Sequence, residues 1–266
     1  MHRFPARISL LLLLLASAVG HAQEGEQGVR RPTAYPSPQI STATVAPRPL
    51  LGGFLGAQRN WSLGSFTTSC DCGYDEGRGF GAMLGALAEF PVSQSFFLLA
   101  EAGYRDFSTS YAVQETRTEF ILTRGSYAQV DFERSADIAI AHVTAGLSGA
   151  WRVPGSGLYF FAGPRLGVLV SDEISERETV LTPGIGYAST QSAEKNFSNG
   201  SIDGVWEKHS LRFDAVIGAG FDIQIRRSVF VSPRLAFAYP FTSVVKEHPS
   251  WHIPAVELSA ALLFAL

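Results

Sequence analysis

Six histidines and two cysteines limit the chemistry open to this chain. His209 and Ser210 have the types of a general base and a nucleophile, but adjacent residues of a strand point to opposite faces. His142 shares the parity of Ser148, which stands distant along the same stretch. His248 and His252 fall in or beside a polar connection, where solvated side chains are expected. No Gly-x-Ser-x-Gly elbow, phosphate loop or His-Glu-x-x-His occurs. Cys70-Asp71-Cys72 would close a strained ring, is too little for a disulfide scaffold, and lacks the further ligands zinc needs. A local disulfide or two free thiols in an exposed loop is the expectation. No catalytic residue, cofactor site or metal site is assigned, and the chain is expected not to be an enzyme.

The remaining polar chemistry is charge, and its spacing is informative. Glu101, Arg105, His142, Arg165, Arg212, Asp214, Asp222, Arg234 and Glu257 all fall on one side of alternating stretches. The other side of those stretches is apolar. In 256–266, Val256, Leu258, Ala260, Leu262, Phe264 and Leu266 share one face; in 211–225, Leu211, Phe213, Ile217, Phe221, Ile223 and Ile225 do. Side chains of a strand alternate with period two, so these are β-strands with one oily and one polar face. About eight such strands are expected, at 51–61, 79–90, 96–107, 138–153, 158–171, 209–225, 229–243 and 252–266.

Their connections alternate. Short turn-forming segments stand at 91–95, 154–157 and 226–228; longer ones lie at 62–78, 108–137, 172–208 and 244–251. An all-β closed antiparallel transmembrane barrel has this pattern, with short periplasmic turns and long extracellular loops. The apolar faces would meet lipid, and aromatics at strand ends (Phe90, Phe96, Trp151, Tyr239, Phe241 and Phe264) would form interfacial girdles. The nine charged or titratable residues would then lie inside. An eight-strand barrel is just wide enough for side chains to fill, and buried charges must be paired, so a salt-bridged plug is expected rather than a conducting pore. Segment 117–133 could extend the third and fourth strands above the membrane or form a separate hairpin; another hairpin in the barrel wall would raise the strand count. Pro164 and Pro233 fall inside strands and predict local bulges there.

The N-terminus reads as a secretory signal over 1–22: His2, Arg3 and Arg7 precede an apolar run that ends at Gly20-His21-Ala22. Residues 23–49, with Pro32, Pro36, Pro38, Pro47 and Pro49, read as a flexible leader, and 50–266 as the barrel domain. Charged residues make up 17% of the chain, below the ~25% usual for soluble domains. The net charge of −3 gives no hint of nucleic acid.

The chain resembles the small porin-like outer-membrane β-barrel proteins of Gram-negative bacteria, the eight-stranded group that includes the membrane domain of outer-membrane protein A. The best stretch is Tyr159-Phe160-Phe161-Ala162-Gly163-Pro164-Arg165-Leu166-Gly167. The last strand, 255–266, is similar to the one that the outer-membrane assembly machinery recognises, although it ends on Leu266 where an aromatic is usual. The resemblance implies an outer-membrane location, contact with outer-membrane lipid and no cofactor. A structural or surface-binding role is expected, with long loops offering a surface to an unidentified extracellular ligand. The alternatives are a small passive pore, or a secreted lipocalin-like barrel with its oily face turned inward around an apolar ligand.

Overall fold

The structure, a computed structural model, describes residues 48–67, 73–121, 125–187, 192–202 and 206–266. The expected signal, nearly all of the leader, and Cys70 and Cys72 lie outside the described residues. The strands are β1 (Leu50–Trp61), β2 (Phe66–Thr67), β3 (Gly73–Tyr74), β4 (Gly77–Pro91), β5 (Phe96–Asp106), β6 (Thr109–Ile121), β7 (Ser126–Arg152), β8 (Leu158–Val180), β9 (Glu194–Gly200), β10 (Leu211–Phe221), β11 (Ile223–Arg226), β12 (Val229–Pro240) and β13 (Ala255–Ala265).

Eight of these strands close into a ring. The antiparallel pairs run β1–β4, β4–β5, β5–β7, β7–β8, β8–β10, β10–β12, β12–β13 and back through β13–β1, where Leu50 meets Ala265 and Asn60 meets Ala255. Closure leaves the ring without a free edge. The eight strands lie where the alternation placed them, with β11 continuing β10 past Asp222.

Alternation decides what each face meets. Leu55, Leu84, Ile217, Leu235 and Leu258 stand 55–63% exposed on the outside. Interior positions carry the charges and a lower apolar layer that includes Leu87, Phe97, Leu99, Tyr159, Phe161 and Phe230. Ala141, whose parity puts it on the apolar outer face of stretch 138–153, is instead buried. It adjoins a bulge: pairing passes from Ala141–Ser171 to His142–Leu169, leaving Val170 as an extra residue in β8. Above this point the inward residues of β8 change parity, to Ile174, Glu176, Glu178 and Val180.

The bulges expected at Pro164 and Pro233 do not form. Registers run through both prolines unshifted, Ala215 opposite Pro164 and Pro233 opposite Ala260. Each proline instead faces a break in one flanking ladder. The β7–β8 pairing skips from Gly146–Arg165 to Gly149–Ala162, and β12 loses its partner between Gly220–Arg234 and Ile223–Val231. A strand residue offers its N–H to one neighbour only, so a missing donor opens a gap on that side without adding a residue.

Segment 117–133 takes the first of its two expected forms. β6 pairs with the upper part of β7 from Thr109–Ile138 to Ile121–Ser126, and the upper part of β8 pairs with β9. A sheet in the order β6, β7, β8, β9 therefore stands beyond the barrel's upper mouth.

Candidate functional site

Two places gather polar chemistry: the barrel interior and the protruding sheet. In the interior, the nine predicted residues are all buried or nearly so. A middle layer joins five of them. Glu101 accepts Arg105 and Arg165, each at 2.9 Å, with Arg234 at 3.7 Å. Glu257 takes Arg165 Nη1 at 2.5 Å and Nη2 at 3.0 Å, with Arg105 Nε at 3.5 Å. The guanidiniums of Arg105 and Arg234 lie over Phe54, 5.4 and 5.2 Å from its ring centre. Arg165 and Arg234 each follow one of the strand prolines, so the two Pro-Arg-Leu runs supply arginines to the same carboxylate.

Arg212 and Asp214 form a separate upper pair at 2.8 Å, with Arg212 Nη2 donating to the Ile253 carbonyl at 2.7 Å. Asp222 joins neither group. It binds Arg152, which also reaches Glu89 at 3.2 Å and lies over the Phe97 ring at 4.6 Å. His142 packs edge-on against Phe107 at 5.6 Å.

Glu89 and Arg152 were missed from sequence, although both have inward parity in strands 79–90 and 138–153. Each stands at a strand end beside a turn, where an exposed charge is usual. Gln58 and Asn60 were missed too; they donate to the Asp106 carbonyl at 2.8 and 3.2 Å. Gly81 leaves room for this arrangement, because a Cβ there would collide with that same oxygen.

The upper mouth is closed by aromatic rings. Phe66 stacks on Trp251 at 4.2 Å and meets Tyr111 and Trp206 edge-on at 4.9 and 5.5 Å. Trp251 Nε1 donates to the Tyr111 hydroxyl at 3.0 Å. Trp206, which lies in the long connection 172–208, is buried in this cap. The tertiary approach of connections 62–78, 108–137, 172–208 and 244–251 builds the cap, and no local pattern announces it.

On the protruding sheet, Glu178 is the centre. It accepts Arg134 Nε at 2.6 Å, Arg117 Nη1 at 3.2 Å and the Tyr187 hydroxyl at 2.5 Å. Burial opposes its charge, but the hydrogen bonds from Tyr187 and Arg134 and the charges of Arg134 and Arg117 hold the carboxyl below its usual range. Burial and the bond to Glu178 push the Tyr187 hydroxyl upward. On the opposite face Gln114 donates to Glu133 at 3.0 Å and Thr116 to Asp131 at 2.7 Å.

Fold and site together define a closed antiparallel β-barrel, apolar outside, ion-paired within and capped at one mouth, that carries a four-stranded sheet beyond its rim. No protein-family model and no curated protein matches the chain. Among solved structures it is similar to Ail, the attachment invasion locus protein of Yersinia pestis, at 10% identity over 82% of this chain and 99% of that one, with a TM-score of 0.33. It is also similar to Neisserial surface protein A, at 13% identity over 82% and 99%, TM-score 0.30. A third likeness is to the outer membrane protease OmpT of Escherichia coli, at 10% identity over 85% and 100%, TM-score 0.32. The fold assignment rests on the chain's own closed ring of pairings.

Proposed function

We propose that this chain is an integral protein of a Gram-negative outer membrane, whose barrel neither conducts nor catalyses but holds the β6–β9 sheet outside the cell as a binding surface. The observation that carries this is the outer face: a closed ring lines its outside with large apolar side chains and keeps its charges inward, save Arg59 near the upper end of β1, which lies over Phe80. Water disfavours such an exterior and a hydrocarbon layer favours it. A lipocalin-like barrel needs the oily face inside, the reverse of this arrangement.

In this reading the short turns lie in the periplasm, and β13 is the strand the assembly machinery engages. The filled interior supports an anchor over a pore, since the apolar layer, the ion pairs and the aromatic cap stand in series along the axis. The test is heat-modifiability: the outer-membrane fraction is run on SDS gels with and without boiling. A mobility shift in that fraction is expected. A soluble protein without a shift overturns the membrane assignment.

A further inference from the structure

Among the described residues, the outer edge of β6 has no strand partner over most of its length. β6 pairs with β7 throughout, but with β4 only at Ser110 and Tyr111. From Ala112 to Phe120 no described residue pairs with that side of the strand. The hydrogen-bonding phase of that side follows from Asp131, which lies opposite Thr116. Asp131 N–H donates to Thr182 Oγ1 at 2.9 Å and its carbonyl accepts Leu181 N–H at 2.8 Å, so both groups point toward β8. In an antiparallel pair of that kind the residue opposite also points away, so the N–H and C=O of Thr116 face the open edge. With period two, so do those of Ala112, Gln114, Thr118 and Phe120.

Exposed edges are normally blocked by Pro, by charged side chains, Lys above all, or by a bulge. This stretch, Ala112-Val113-Gln114-Glu115-Thr116-Arg117-Thr118-Glu119-Phe120, has neither Pro nor Lys, and its pairing with β7 is unshifted. The opposite border of the sheet differs: β9 is short, and its register with β8 shifts at Glu176–Arg177.

We propose that the open edge of β6 pairs antiparallel with the same edge of a second copy of this chain, centred on Thr116. The proposal rests on the outer-membrane reading above. Thr116 is the midpoint of the open stretch, so this register covers the edge completely. Thr116 faces Thr116, Gln114 faces Thr118 and Ala112 faces Phe120, each pair exchanging backbone hydrogen bonds. Between them Glu115 faces Arg117 twice, on the side where cross-strand side chains come closest. Glu115 and Arg117 are therefore self-complementary in this register, while Glu119 falls opposite Val113.

The antiparallel sense has a geometric consequence. Thr109 is the barrel end of β6 and Ile121 the far end. The second strand runs oppositely, so its barrel continues from the other end of the shared sheet. Two barrels joined this way stand in two facing membranes, and the partner is a copy on another cell.

The full chain, folded into phosphatidylcholine vesicles of two dye colours, tests this by co-clustering. Clustering is expected only when both populations carry protein. Thr116→Pro removes an edge donor that β7 does not use, and should abolish clustering while the heat shift of the folded barrel persists. With Cys70 and Cys72 changed to serine, Thr116→Cys should give a covalent dimer under copper-catalysed air oxidation. Dispersed wild-type vesicles with a normal heat shift overturn the pairing and leave the barrel reading standing. Clustering with bare vesicles, clustering that survives Thr116→Pro, or no Thr116→Cys dimer also overturns it. A missing heat shift overturns both.

Discussion

Arg165 and Glu257 meet as a two-pronged pair, at 2.5 and 3.0 Å, across an interior that brings together residues 92 positions apart in sequence. They sit on β8 and β13, strands that are not neighbours in the ring, so the contact crosses the lumen. It ties together walls three strands apart in the ring, below the aromatic cap.

Removing one partner leaves buried charge uncompensated. Glu257→Ala should destabilise the barrel by about 3–5 kcal/mol, because Arg165 and Arg105 both lose a carboxylate. Replacing Arg165 and Glu257 together by Met should cost less than Glu257→Ala alone. Urea unfolding in lipid vesicles, followed by the heat-dependent gel shift, measures both.

A charge on the outer face separates a membrane barrel from a soluble one. Ile217 is 61% exposed midway along β10. Ile217→Arg should lower stability in bilayers by about 2–4 kcal/mol. In a water-soluble barrel the same exposed substitution would be nearly neutral. Equilibrium folding into vesicles gives the answer, and a change within about 0.5 kcal/mol contradicts the lipid-facing assignment.

The interior should not conduct. Planar bilayer recordings of the wild type should show no steady channel. Trp251→Ala removes one of the two tryptophan rings of the cap but leaves the middle ion pairs and the lower layer of Leu87, Leu99 and Phe161 in place. That variant should also stay closed while losing about 3–5 kcal/mol of stability. Stable conductance in either protein contradicts a plugged barrel.

The protruding sheet should loosen in acid. Glu178 has a folded-state value below the usual 4.5, so its contribution is fully present above about pH 4.5 and is lost as pH falls through the lowered value. Hydrogen exchange in β6, the upper part of β7 and the upper part of β8 should accelerate at acid pH, while the barrel strands stay protected. Glu178→Gln should weaken the sheet at neutral pH and flatten this dependence.

The eight barrel strands, their inward and outward faces and the interior position of Glu101, Arg105, Arg165, Arg234 and Glu257 were legible in the sequence alone. The reason is that period-two alternation is a local property that sorts side chains directly between the outer face and the lumen. Glu89 and Arg152 obeyed the same parity, and reading it to the strand ends would have found them. The effect of the two prolines was not legible, because whether a missing donor makes a bulge or a gap depends on which neighbour it faces.

Tertiary structure alone decided the rest. Which arginine meets which carboxylate depends on how strands distant in sequence are staggered around the ring. The aromatic cap depends on four connections converging over one mouth. The parity switch at Val170, which turns Glu178 toward Arg134, depends on one unpaired residue between β7 and β8. The open edge of β6 is likewise a fact of pairing: the alternation in 109–121 says that a strand forms, but only the fold shows that no described strand pairs with that edge from Ala112 to Phe120.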